Sequence, residues 1–192
     1  MVLPPGFQIT DQVLLAGMAW FALADLLCVP LLARFTRPDR FSHLKWPLIL
    51  SSAAVWFTIW AWVLSWGWEI VYAYVFPAWS RGVLPVFMAL FYAAVAWLLW
   101  RLALPHARPA AWFCLLGGLV GILTHIYAVL RGITTGPPIL QAASPAVAVL
   151  FAAFEFILYW CAILALALLL DRLFTRGVPS PSATPGIGAP GG

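Results

Sequence analysis

Five long apolar segments, each about as long as a bilayer is thick, constrain this chain more than any other feature. They lie between polar or Pro/Gly-rich breaks and cover residues 12–34, 46–66, 82–104, 111–130 and 146–170. An α-helix needs about 20 apolar residues to cross roughly 30 Å of hydrocarbon. Because lipid offers the backbone no hydrogen-bond partners, such segments cross it as helices. The sequence therefore predicts an all-α polytopic membrane protein, a bundle of five transmembrane helices.

Composition supports a lipid environment. Of the 192 residues, 65% are hydrophobic and 8% are charged, whereas an ordinary soluble domain has about 45–50% and about 25%. The net charge of +4 comes from basic residues scattered between the apolar segments, without a patch. This distribution indicates topology signals and no nucleic-acid partner. We expect the lipid bilayer as partner, and a multi-pass protein of the plasma (inner) membrane.

The basic residues also predict the direction of each crossing, because short connections rich in Lys and Arg stay on the cytoplasmic side. Eight of the ten lie in the first connection, in the third, or after the last segment: Arg34, Arg37, Arg40, Lys45, Arg101, Arg108, Arg172 and Arg176. The other connections contain only Arg81 and Arg131. The N-terminus is therefore predicted outside and the C-terminus inside. Residues 1–176 form the predicted membrane domain, and the Pro/Gly/Ser-rich residues 177–192 a disordered cytoplasmic tail.

Three ionisable residues inside the predicted spans are candidate functional residues, because such groups are costly in lipid. With about 1.5 Å per residue, His125 lies roughly 8 Å, Glu155 roughly 14 Å and Asp25 roughly 20 Å below the outer boundary. No Lys or Arg lies at comparable depth, so burial favours the neutral acids. Three interpretations follow: a structural hydrogen-bonding role, pairing with His125, or contact with a cationic ligand or metal. No ligand spacing supports a metal site.

Aromatic residues add a second candidate feature. Trp56 and Trp60 lie one turn apart near mid-membrane, away from the interfacial belts that most tryptophans form. If they face Glu155 and Tyr159, they would suit a flat apolar ligand with one polar or cationic group. Ordinary helix packing is the alternative, and the one we favour. The two long outer connections, 67–82 and 131–145, direct attention to the outer half of the bundle.

Small residues suggest how two of the helices meet. Gly117, Gly118 and Gly121 form a GxxxG pattern, which lets a neighbouring helix approach closely. In a five-helix bundle we expect that neighbour in the same chain. The three cysteines, Cys28, Cys114 and Cys161, lie inside apolar segments and are predicted to be small buried residues.

Known families give only a likeness of composition. Five spans and twelve tryptophans resemble the tryptophan-rich sensory proteins, which bind porphyrins and lipids. An aromatic membrane cavity with buried acids resembles the sterol-isomerase and emopamil-binding group. No motif of either family matches this sequence residue by residue, so no family and no cofactor is assigned.

Three hypotheses for function remain open at this point. The first is a site for a small apolar or lipid-like ligand in the outer half of the bundle, centred on Glu155. The second is a non-catalytic subunit or assembly factor of a larger membrane complex. The third is proton-coupled catalysis or transport through Asp25, His125 and Glu155. Common hydrolase, metalloprotease and nucleotide-binding motifs are absent from the sequence, so no enzymatic mechanism is predicted.

Overall fold

The computed structural model describes residues 11–64, 84–130 and 144–176, and within these ranges all regular secondary structure is helical. The helices are α1 (Asp11–Phe35), α2 (Pro38–Phe41), α3 (Lys45–Leu64), α4 (Leu84–Ala103), α5 (Pro109–Leu130) and α6 (Pro145–Arg176). The predicted tail 177–192, the connection 67–82 and nearly all of the connection 131–145 lie outside the described residues.

Each predicted apolar segment overlaps one of the long helices, and the all-helical fold class is confirmed for the described residues. Three stretches are long and apolar enough to cross a bilayer: Asp11–Phe35, Val86–Ala103 and Pro145–Phe174. A shorter apolar stretch, Pro109–Thr124, lies in α5. The number of crossings and their direction therefore stay predictions.

The outer surface of the bundle is strongly apolar. Trp20 is 74% exposed, Leu26 72% and Phe174 72%, and they belong to a large set of exposed Leu, Val, Phe and Trp side chains. Soluble monomers rarely expose extended apolar surface. This surface matches hydrocarbon, as the membrane class requires.

Helix α6 is the centre of the bundle. It packs extensively against α1, α3 and α5, while α4 packs mainly against α3 and also against α5. Ser51 of α3 donates a hydrogen bond to the carbonyl oxygen of Ala93 in α4, at 3.0 Å. At one end of the bundle, the Trp100 indole of α4 donates to the carbonyl oxygen of Phe41 in α2, at 3.0 Å. We call this the α2 end.

The glycine pattern of α5 lies against α6, as predicted. A Cβ added at Gly121 would lie 2.6 Å from Phe156 Cγ and 2.8 Å from the carbonyl oxygen of Ala152. At Gly118 it would lie 3.1 Å from the carbonyl oxygen of Ala153. Because these neighbours belong to α6, the close approach is between two helices of the same chain.

Aromatic rings form much of the buried core between the middle of the bundle and the α2 end. Trp46 contacts Phe41 with ring centroids 5.6 Å apart, and Phe41 contacts Phe113 at 6.2 Å. Phe113 meets Trp160 edge-on at 5.4 Å. Each of these four rings is 1% exposed or less. The well-packed core thus extends from α2 up to Trp160 in α6.

Candidate functional site

Tyr159 is the predicted site residue with the clearest polar contact. Its hydroxyl lies 2.6 Å from the Thr58 hydroxyl, and either group can be the donor. Thr58 is fully buried in α3, so the bond joins α3 to α6 inside the bundle. It satisfies two hydroxyls that apolar surroundings would otherwise leave without a partner.

Four aromatic rings surround Tyr159. The ring centroids of Phe57, Tyr92, Phe156 and Trp160 lie 4.9, 5.2, 5.8 and 5.9 Å from that of Tyr159. The Phe57 and Trp160 contacts are edge-on, which is a preferred geometry for aromatic pairs. We call these five residues the Tyr159 cluster. They come from three helices, α3, α4 and α6, and the sequence alone indicated only Tyr159 among them.

Glu155 lies one helical turn before Tyr159 in α6, so the two side chains leave the same face of the helix. Its side chain is half-buried, and it makes no hydrogen bond or ion pair with another described residue. Phe156, its neighbour in sequence, belongs to the Tyr159 cluster. The half-buried Glu155 carboxyl group thus lies one helical turn from the centre of the Tyr159 cluster, and no described residue is its hydrogen-bond or ion-pair partner.

Trp56 and Trp60 do not join Glu155 in this region. Each is 57% exposed, so most of each ring lies on the outer surface of α3. At 3.6 residues per turn, Thr58 points about 200° away from both tryptophans. Since Thr58 contacts Tyr159, the face of α3 that meets α6 carries Thr58 and Phe57, and Trp56 and Trp60 lie away from it.

Asp25 occupies a separate environment. It is 7% exposed, and neither carboxyl oxygen has a hydrogen-bond partner among the described residues. The carboxyl group is near enough to Cys28 and Cys114 to interact electrostatically with both thiols, which places it toward α5. Cys114 and Cys161 are buried and Cys28 is half-buried, and all three are free thiols. In the described part of the chain, no hydrogen bond or ion pair joins Asp25 to Glu155.

The third ionisable candidate, His125, lies in α5, but its side chain is outside the described residues. Among the residues that are described, no group of three His, Cys, Asp or Glu side chains is arranged to hold a metal ion. Of the candidates, Glu155 and Tyr159 thus share one face of α6, and among the described residues no hydrogen bond, ion pair or ring contact joins them to Asp25, Trp56 or Trp60.

Comparison with known proteins adds no assignment. No family model, curated protein or solved structure matches this chain. Function must therefore be argued from the chemistry of the described side chains.

Two cavities lie at the α2 end, far from Glu155 along the helices. A groove of about 410 Å³ between α1 and α5 is lined by Val29, Pro30, Ala33, Arg34, Arg108 and Ala111. A cavity of about 40 Å³ is lined by Phe35, Thr36, Arg37, Arg40, Trp46, Leu168, Asp171 and Arg172. The sequence indicates these arginines as topology signals alone, and no sequence pattern marks Thr36 as a candidate site residue.

Proposed function

We propose that this chain is a five-span protein of the plasma membrane, N-terminus outside and C-terminus inside, that binds a small, largely apolar ligand. The ligand site lies in the outer half of the bundle, between Glu155 and the Tyr159 cluster. One observation carries the proposal: the half-buried Glu155 carboxyl has no partner among the described residues and lies one helical turn before Tyr159, whose ring contacts four others.

The chemistry of the site favours a ligand with one cationic or hydrogen-bond-donating group. A carboxyl group in apolar surroundings is poorly solvated, so a positive charge beside it restores the lost stabilisation. Aromatic faces also attract cations and supply apolar contact area. Phe156 and Tyr92, with ring centroids 6.3 Å apart, are the rings that such a ligand would contact first.

A second candidate, proton-coupled transport or catalysis, draws on Asp25. Its carboxyl, buried and without a partner among the described residues, is the group that such chemistry would need inside the membrane. A relay from Glu155 to Asp25 gains no support, since Asp25 lies near Cys28 and Cys114 and no ion pair or hydrogen bond joins the two acids. Binding to Glu155 is therefore the better-supported proposal.

The test uses acridine orange, a flat aromatic cation, with the full chain in nanodiscs of zwitterionic lipid. Dye polarisation above the signal of empty nanodiscs should saturate with the wild-type protein. Glu155→Gln should weaken binding by roughly ten- to a hundredfold, the range expected when an interaction with a charged group is lost. Far-ultraviolet circular dichroism checks that the variant is folded.

Two matched variants separate the candidates. Trp56→Phe changes an exposed ring outside the Tyr159 cluster, so dye binding should stay at the wild-type value. Asp25→Asn should also leave it unchanged if Glu155 is the binding group. Wild-type dye affinity in folded Glu155→Gln would refute the proposed site, and a loss confined to Asp25→Asn would move the function to α1.

A further inference from the structure

Three arginines from two distant parts of the chain line the 40 Å³ cavity at the α2 end. Arg37 directly precedes α2, Arg40 lies within it, and Arg172 lies near the end of α6. The acid that lines the cavity, Asp171, forms an ion pair with Lys45, with Nζ 2.6 Å from Oδ1. The three arginines, Lys45 and Asp171 together carry a positive net charge.

Two buried polar groups line the same cavity. Thr36 is 2% exposed and Trp46 1%, and neither the hydroxyl oxygen nor the indole nitrogen has a hydrogen-bond partner among the described residues. Buried polar groups are nearly always hydrogen-bonded. An indole N–H can only donate, so the partner of Trp46 must be an acceptor. A hydroxyl can donate to the same acceptor.

The size of the cavity limits what enters it. A volume of about 40 Å³ holds about one water-sized group, whose share of liquid volume is about 30 Å³. Arg37, Arg40 and Arg172 line the cavity and are exposed, so its mouth is basic. The arrangement suits an anion that places one oxygen inside and keeps its other oxygens outside, next to guanidinium groups.

We propose that this cavity binds a phosphate group. One phosphate oxygen accepts hydrogen bonds from Thr36 and Trp46, and the remaining oxygens lie against Arg37, Arg40 and Arg172. In the predicted topology the cavity lies at the cytoplasmic headgroup level, where basic pockets between helices bind anionic phospholipids. The same chemistry would accept a free phosphate, and the experiment separates the two sources. The proposal is independent of Glu155.

Native mass spectrometry of delipidated protein in a neutral detergent measures the binding. Wild-type protein should retain phosphatidylglycerol in preference to phosphatidylcholine. Thr36→Val removes one hydroxyl at constant shape and should weaken phosphatidylglycerol binding about tenfold, as expected for a hydrogen bond to a charged group. The double variant Arg40→Gln with Arg172→Gln should weaken it further.

Arg101→Gln is the matched control. Arg101 is exposed, lies at the end of α4, and does not line the cavity, so this variant removes one charge from the same predicted side. It should change phosphatidylglycerol binding less than about twofold, as expected for an exposed charge. A loss equal to that of the double variant would mean that surface charge alone attracts the lipid, and would overturn the proposed site.

Inorganic phosphate identifies the source of the ligand. Phosphate that displaces phosphatidylglycerol from wild-type protein supports a free phosphate as ligand, whereas lipid binding unchanged by phosphate supports the lipid headgroup. Trp46→Phe removes the other donor and provides a second variant if Thr36→Val folds poorly. Wild-type phosphatidylglycerol binding in these donor variants would mean that the cavity holds only water, and would refute the proposal.

Discussion

Replacing Gly121 with alanine should separate α5 from α6. The added Cβ would lie 2.6 Å from Phe156 Cγ, 2.7 Å from Phe156 Cβ and 2.8 Å from the carbonyl oxygen of Ala152. Non-bonded carbon atoms are most stable at about 3.5–4.0 Å, so relief requires a movement of roughly 1 Å. The Phe156 Cβ and the Ala152 carbonyl cannot move without the backbone of α6, so the helices themselves must shift.

The expected loss is a balance of two terms. Overpacking of this kind costs about 1–3 kcal/mol, while alanine in place of a helical glycine recovers up to about 1 kcal/mol. Gly121→Ala should therefore lower the free energy of unfolding by about 1–2 kcal/mol. The assay is titration of the protein in mixed micelles with a denaturing detergent, with helix content followed by circular dichroism.

Gly17→Ala is the control for helix propensity. Its three nearest obstacles are atoms of the Phe151 ring, at 2.9, 3.7 and 3.8 Å, and a ring can rotate without moving its helix. The free energy of unfolding should then change by less than about 0.5 kcal/mol, because the gain in propensity offsets a small repacking cost. Equal losses in Gly17→Ala and Gly121→Ala would refute the backbone contact as the cause.

Two further predictions test the polar contact and the topology. Tyr159→Phe and Thr58→Val should each lower the free energy of unfolding by about 0.6–1.7 kcal/mol, the range for hydrogen bonds between membrane helices. The double variant should lose little more than either single variant. Additive losses would contradict the hydrogen bond. Reporter proteins fused before Met1 and after Arg176 should report the outside and the inside of the cell, because the five crossings of the predicted topology place them on opposite sides. Reports from one side would mean an even number of crossings.

The positions of the helices can be predicted from the sequence because proline, glycine and charged residues interrupt the apolar segments. The last helix shows the limit of that signal. The prediction ended at residue 170, before Asp171 and Arg172, whereas α6 continues to Arg176. A helical backbone tolerates charge once the side chains reach polar surroundings, and Lys45 pairs with Asp171. Apolar length therefore indicates the lipid-facing part of a helix and underestimates the helix itself.

The direction in which each side chain points was much less accessible. These helices are apolar all round, so the periodicity that marks the buried face of a helix in water is weak. Trp56 and Phe57 are equally apolar, yet the first lies mostly exposed and the second contacts Tyr159. Gly121 was an exception, because a missing side chain indicates close approach whatever the solvent. Thr58 carried no pattern, since a single hydroxyl in an apolar run has no characteristic spacing.

The cavity at the α2 end was beyond sequence analysis for a different reason. Its lining residues are far apart in the sequence: Thr36 and Trp46 lie in the first quarter of the chain, and Arg172 lies near the end of α6. The arginines were visible as charges, and the positive-inside rule accounts for them without any site. The proposed phosphate site depends on their convergence with two buried donors that have no partner among the described residues.

The central position of α6 has a consequence for biosynthesis. Among the described helices, α6 is the last to be translated, yet α1, α3 and α5 all pack against it. Helices that enter the bilayer one at a time must therefore wait for it, with α3 and α4 already paired and α1 holding few neighbours. A chain that ends before Pro145 lacks Phe156, so Gly121 in α5 has no α6 to pack against. Proteases that recognise unpaired membrane helices would recognise that incomplete chain. Once α6 is complete and packed, they would no longer recognise it.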